Sequence, residues 1–151
     1  MSNLPGKMFR PNPQTNEYTL ALPIPVTSPM PLLDTEDDTG KFVKGILLNR
    51  EKTLGKRIFG ATAYYTPEQI VEEFKALKPE ASKGAKAVQV PHEVFKGFLA
   101  QTGAPEATQD EMLQNMRLMP EFGYYGNACL DESHSVSLLF FPEKPSKTWS
   151  W

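Results

Sequence analysis

The 151-residue sequence predicts an α/β fold, and three observations carry that prediction. Short strand-like segments alternate with amphipathic helical patterns of about 10 to 15 residues, the arrangement expected of helices packed on a sheet. Two of the helical patterns open on capping chemistry. No internal repeat interrupts the alternation, and the length suits one domain or a piece of one at roughly 150 residues per domain.

Seven of the 14 prolines lie in the first 31 residues, so this lead-in cannot be helical or a central strand throughout. Within it Glu17 to Leu22 places Tyr18, Leu20 and Leu22 at period two, which predicts a strand with one buried face. Pro23 to Pro31 reads as an exposed connection to a short strand at Met30 to Leu33. The acids Asp34, Glu36, Asp37 and Asp38 then precede a helix over Lys41 to Asn49, with Phe42, Val43, Ile46 and Leu47 as its apolar stripe. Carboxylates there favour the helix dipole and cap free amides. A calcium loop starting at Asp34 would need Gly and Glu at its sixth and twelfth positions, where Thr39 and Gly45 stand, so that reading is rejected.

Lys56 to Gly60 (KRIFG) predicts a short strand covering Ile58 and Phe59. Thr66, Pro67 and Gln69 then supply a cap, a first-turn proline and the partner that closes a capping box. Ile70, Val71, Phe74 and Leu77 give that helix its buried face, and Glu68, Glu72, Glu73 and Lys75 its wet one. After a polar turn at Pro79 to Gly84, Ala87 to Val90 reads as a strand. Pro91 opens a helix with Val94, Phe95, Phe98 and Leu99 as its stripe, ended by Gly103. Thr108 and Glu111 suggest a second capping box, for a helix carrying Met112, Leu113, Met116 and Met119 and stopped by Pro120.

Composition narrows the function classes. Sixteen basic against 18 acidic residues leave no field to hold a phosphate backbone, which argues against direct nucleic-acid binding. The single cysteine, Cys129, cannot form an internal disulfide, and no Asn-x-Ser/Thr acceptor occurs. No apolar run approaches the about 20 residues that cross a bilayer, and MSNLPGKMFRPNP lacks an apolar core of signal-peptide length. The expectation is a soluble protein of the cytoplasm or nucleus, without a membrane partner.

The search for chemistry returns one local candidate. No Gly-x-Gly-x-x-Gly turn occurs. Gly40 and Gly45 have the spacing of a phosphate loop, but Ile46 and Leu47 replace the required Lys and Ser/Thr. None of the five tyrosines is followed by Lys four residues on, so a Tyr-x-x-x-Lys dyad is absent. His92 and His134 lack ligand-spaced partners and read as surface or capping residues, and Cys129 reads as an ordinary small side chain. No catalytic, cofactor-binding or metal-binding residue is assigned. The candidate is Phe122, Tyr124 and Tyr125, between Pro120 and Gly126, together with Met116. Two phenols in a glycine-bounded loop beside an adaptable methionine can orient a small ligand, and the same residues can equally close a core.

PNPQTNEYTLALPIP, PMPLLDTEDDTGKFVKGILLN, GKRIFGATAYYTPEQIVEEF, VQVPHEVFKGFL and MPEFGYYGNACLDESH together resemble the carboxy-terminal half of fungal-type NmrA-like proteins. The resemblance covers about Leu4 to His134. It implies an incomplete Rossmann-type sheet with a small substrate-side helical domain: residues 1–135 form the NmrA-like part, and 136–151, with VSLLFFPEKP, form a divergent tail. It also implies a truncated or degenerate relative of atypical short-chain dehydrogenases. Full-length relatives use NAD(P) and are largely transcriptional co-regulators of the nitrogen-metabolite-repression type. This chain, without the glycine-rich segment, is expected to bind no cofactor alone. Two alternatives stand beside that reading: the substrate-binding half of an isoflavone-reductase-like oxidoreductase, and a stand-alone interaction module. By the resemblance, Lys56 to Gly60 is a late Rossmann strand with the Thr66 to Leu77 helix packed on it, both short of parallel partners. The exposed apolar faces that follow would bind a protein partner or a second copy.

Overall fold

The computed structural model describes residues 9–12, 16–36 and 38–138. The elements in chain order are β1 (Phe9–Pro11), β2 (Tyr18–Leu22), β3 (Met30–Leu32), α1 (Thr39–Leu48), α2 (Arg50–Thr53), β4 (Ala63–Tyr65), α3 (Pro67–Leu77), β5 (Lys86–Gln89), α4 (His92–Gln101), α5 (Glu106–Phe122) and α6 (Asp131–Leu138). They form two compact units. A three-stranded unit holds the described residues up to Met30 together with Tyr65–Gly126, and a two-stranded unit holds Pro31–Tyr64 and the described residues from Asn127. The predicted α/β class is observed. No described helix is long and apolar enough to cross a membrane. The 136–151 tail lies outside the described residues beyond Leu138.

In the three-stranded unit the order is β1-β2-β5. β1 runs antiparallel to β2, pairing Phe9 with Leu20 and Pro11 with Tyr18, and β5 runs parallel to β2, pairing Leu20 with Ala87. The period-two pattern of β2 is realised: Leu20 and Leu22 are buried. β1, in the lead-in, was not foreseen. Its proline sits on an edge strand, where a missing donor is tolerated.

α3 follows its local signals closely. Gln69 N–H donates to Thr66 Oγ1 at 3.2 Å, Thr66 N–H donates to Gln69 Oε1 at 2.9 Å, and Pro67 fills the first turn. Ile70, Val71 and Phe74 are buried, whereas Leu77, predicted to extend that face, is exposed. The helix packs on β5. Phe74 stands edge-on to Phe9 at 4.8 Å and lies 5.0 Å from Tyr18, so within its unit α3 is partnered by the three-stranded sheet. Ile70, Val71 and Phe74 of its apolar face are covered, and Leu77 is not.

α4 and α5 pack together, with Lys96 and Asp110 joined across them at 2.7 Å. The α4 stripe is narrower than predicted, because Phe95 alone is buried while Val94 and Phe98 are exposed. α5 begins at Glu106 behind Pro105, so Thr108 lies inside the helix and caps nothing. Pro120 does not stop it either. A proline in the final turn forfeits one intrahelical bond, and the helix runs two residues further to Phe122, capped by Gly123, whose N–H donates to Met119 O at 3.0 Å. The Pro23 to Pro31 connection is partly buried, with Ile24 and Ser28 inside, because the turn from Pro25 O to Ser28 N–H folds it inward.

In the two-stranded unit β3 pairs with β4, and α6 packs on α1. Phe42 and Gly45 form the buried face of α1, while Val43 and Leu47, predicted to share it, are exposed. Lys56 to Gly60 forms no strand. The Phe59 N–H that a ladder would need instead donates to Ser133 Oγ at 2.9 Å.

Candidate functional site

The turn after α5 is set by its glycines. Gly123 at φ +73° and Gly126 at φ +63° adopt a region that other residues rarely enter, and Gly126 N–H donates to Gly123 O at 3.0 Å. Between them Tyr124 and Tyr125 meet edge-on, with ring centroids 5.0 Å apart. Phe122 is 65% exposed and Tyr124 is 40% exposed. The turn thus leaves aromatic area exposed that can stack on a flat ligand and offer it a phenol.

Met116 is not brought to that surface. At about 100° per residue, Phe122 lies roughly 120° around the helix from Met116. Met116 is buried on the face it shares with Leu113 and Met119. Of the four predicted residues, the structure therefore joins Tyr124 to Tyr125, places Phe122 beside them in the chain, and sets Met116 in the core.

A second constellation, in the two-stranded unit, was not legible as such. Asp38, 1% exposed, accepts from Thr62 Oγ1 at 3.0 Å and from Lys41 Nζ at 2.7 Å. Its carboxylate makes no capping bond to α1, correcting the cap expected of the acid cluster, because the buried Thr62 hydroxyl and the Lys41 ammonium claim it. Downstream, His134 Nε2–H donates to Ala61 O at 2.9 Å, and Tyr64 Oη–H donates to Ala128 O at 3.0 Å. Lys56 and Glu132 form an ion pair. Cys129, exposed, donates its thiol to Asp131 Oδ2 at 2.8 Å. Only Lys41, at i+3 from Asp38, gave a local signal for any of these pairings.

Two phenols are held in their protonated form. Burial raises the Tyr64 phenol above its usual range, and proximity to Cys129 adds to the shift. Burial also raises Tyr65, helped by the charge and hydrogen bond of Glu73. A phenol that serves as a general base near neutrality needs the opposite shift. His92 is exposed on α4. Among the described residues no group of three or more His, Cys, Asp or Glu could hold a metal ion.

A dinucleotide's phosphates seek free amides at a helix N-terminus. At α3, which follows β4, those amides are taken. Thr66 N–H and Gln69 N–H close the capping box, Glu68 N–H donates to Val26 O at 3.2 Å, and Pro67 has none. The buried Asp38 stands at the start of α1, and Glu93, Glu106 and Asp131 occupy the first turns of α4, α5 and α6. Carboxylates at those ends already answer the dipole and oppose an anion.

A parallel strand pair joined by a long crossover, with helices packed on the sheet, defines a mixed α/β protein with part of a Rossmann-type plan. The chain matches the model of the NmrA-like family over residues 1–149, and it belongs to that family. No curated protein matches it in a sequence search.

Proposed function

We propose that this chain works as a binding and regulatory member of the NmrA-like family, related to the NAD(P)-sensing transcriptional co-regulators, and does not itself capture NAD(P). The observation that carries this reading is the N-terminus of α3, where each of the first amides is either bonded within the protein or replaced by proline. No glycine-rich turn elsewhere in the sequence offers a substitute. The missing Tyr-x-x-x-Lys dyad argues against the short-chain-dehydrogenase mechanism. Calorimetric titration of the whole chain with NADP and with NAD tests it. No heat of binding is expected, and a dissociation constant near micromolar, about -8 kcal/mol, overturns the proposal.

The exposed aromatic turn favours a second reading, in which the chain supplies the substrate side of a reductase acting on a flat carbonyl or enone. Saturable quenching of tyrosine fluorescence by a flat enone, lost in Tyr124→Ala, would favour that reading over the first.

A further inference from the structure

We propose that α1 is the surface through which two copies of this chain associate, packed antiparallel across a twofold axis. One face of α1 is spent inside the unit, where Phe42 and Gly45 are buried and α6 packs against the helix. The other face carries exposed apolar residues with the exposed Lys44 beside them. Val43 is 51% exposed and Leu47 is 70% exposed, one turn apart, and Gly40 lies one turn before Val43 on the same line. A Cβ built on Gly40 meets nothing within 4 Å, so this position is an open notch in the stripe. Leu48 and Leu54, also exposed, flank its far end.

Charge selects the occupant. Before α1 stands the exposed Glu36, and after it stand the exposed Arg50, Lys52 and Arg57 against a single acid, Glu51. The helix is about 15 Å long, too far for its own ends to pair. A second copy laid antiparallel sets each Leu47 over the partner's Gly40 notch and brings each acidic end onto the other's basic end. A parallel arrangement would oppose like charges. The same patch then serves both copies, and the contact closes at two. A partner with one sign of charge, such as an anionic lipid surface, matches only one end of the helix.

Sedimentation of the full chain across protein and salt concentrations tests the proposal. A monomer–dimer equilibrium that weakens with salt is expected. Leu47→Glu, at a solvent-facing position, should weaken it by roughly tenfold or more without changing the fold. The decisive variants are Arg50→Glu with Lys52→Glu in one chain and Glu36→Lys in another. Each alone should stay monomeric, and an equimolar mixture should recover a heterodimer, a gain that misfolding cannot imitate. A chain that is monomeric at all concentrations, a Leu47→Glu variant that associates normally, or a mixture that stays dissociated overturns the proposal. So does a monomer that binds phosphatidylserine vesicles through the same residues.

Discussion

The two units of this chain are held together by different physics. The three-stranded unit is closed by apolar packing, with Phe9, Leu20, Leu22, Phe74 and Phe95 all buried. The two-stranded unit is pinned by directional bonds along the stretch from Phe59 to Tyr64. Phe59 N–H goes to Ser133, Ala61 O to His134, the Thr62 hydroxyl to Asp38 and the Tyr64 hydroxyl to Ala128 O. Apolar packing is non-directional and scales with area, so it is written into sequence as local periodicity. A hydrogen bond depends on one particular partner, which the chain here supplies 24 to 74 residues away.

The contrast predicts a graded response to truncation, and the largest loss belongs to the packed unit. Phe74→Ala removes the ring that meets both Phe9 and Tyr18, and should cost about 3 to 5 kcal/mol. Met116→Ala, on the buried face of α5, should cost about 2 to 5 kcal/mol. Urea unfolding measures both. Losses under 1 kcal/mol would mean that these side chains sit in loosely packed surroundings, and the contrast would fail.

The polar unit should answer more modestly. Asp38→Asn keeps the shape but gives up the charge that draws Lys41 and the Thr62 hydroxyl, at about 1 to 3 kcal/mol. Pairing it with Thr62→Val in a double-mutant cycle should give a coupling of about 0.5 to 3 kcal/mol. Additive losses would show that the pair does not act as a unit.

This division also explains what the sequence disclosed. α3 was readable because Thr66, Pro67, Gln69 and the apolar residues that follow lie within a few turns of one another. The alternation in β2 was readable for the same reason. The strand expected at Lys56 to Gly60 failed because its donor at Phe59 is claimed from α6, and α5 was misjudged at both ends by local rules that its packing overrides. In the candidate site, the glycine-bounded turn was visible in the sequence. That Met116 faces away from it follows from helix phase, and could have been read from the spacing to Phe122.

A smaller effect, in the two-stranded unit, depends on pH. Tyr64→Phe deletes one bond to Ala128 O and should cost about 0.5 to 1.5 kcal/mol near neutrality. Burial in the folded state raises the pKa of this phenol above its ordinary value of 10.0, so the folded state holds the proton more tightly than the unfolded one. The resulting stability is present in full below that value and is lost as pH rises through the folded-state pKa. The variant should therefore show a shallower alkaline decline than the parent, read from melting temperatures on both sides of that value. An unchanged slope would place the Tyr64 hydroxyl in solvent.

The smallest effect is expected at the aromatic turn, and there the near-absence of a loss is the informative result. Gly123 N–H bonds to Met119 O and Gly126 N–H to Gly123 O, so the backbone of the turn is fixed without help from the Phe122 ring. That ring is 65% exposed and leaves no cavity when removed. Phe122→Ser should change stability by no more than about 0.5 kcal/mol, against the larger loss set for Met116→Ala six positions earlier on the same helix. A residue that can be removed without structural cost is free to serve a ligand, whereas Met116 is committed to the core. Parallel urea titrations of the two variants decide between these roles. If Phe122→Ser proves as costly as Met116→Ala, the turn is part of the packed interior and its value as a binding surface is gone.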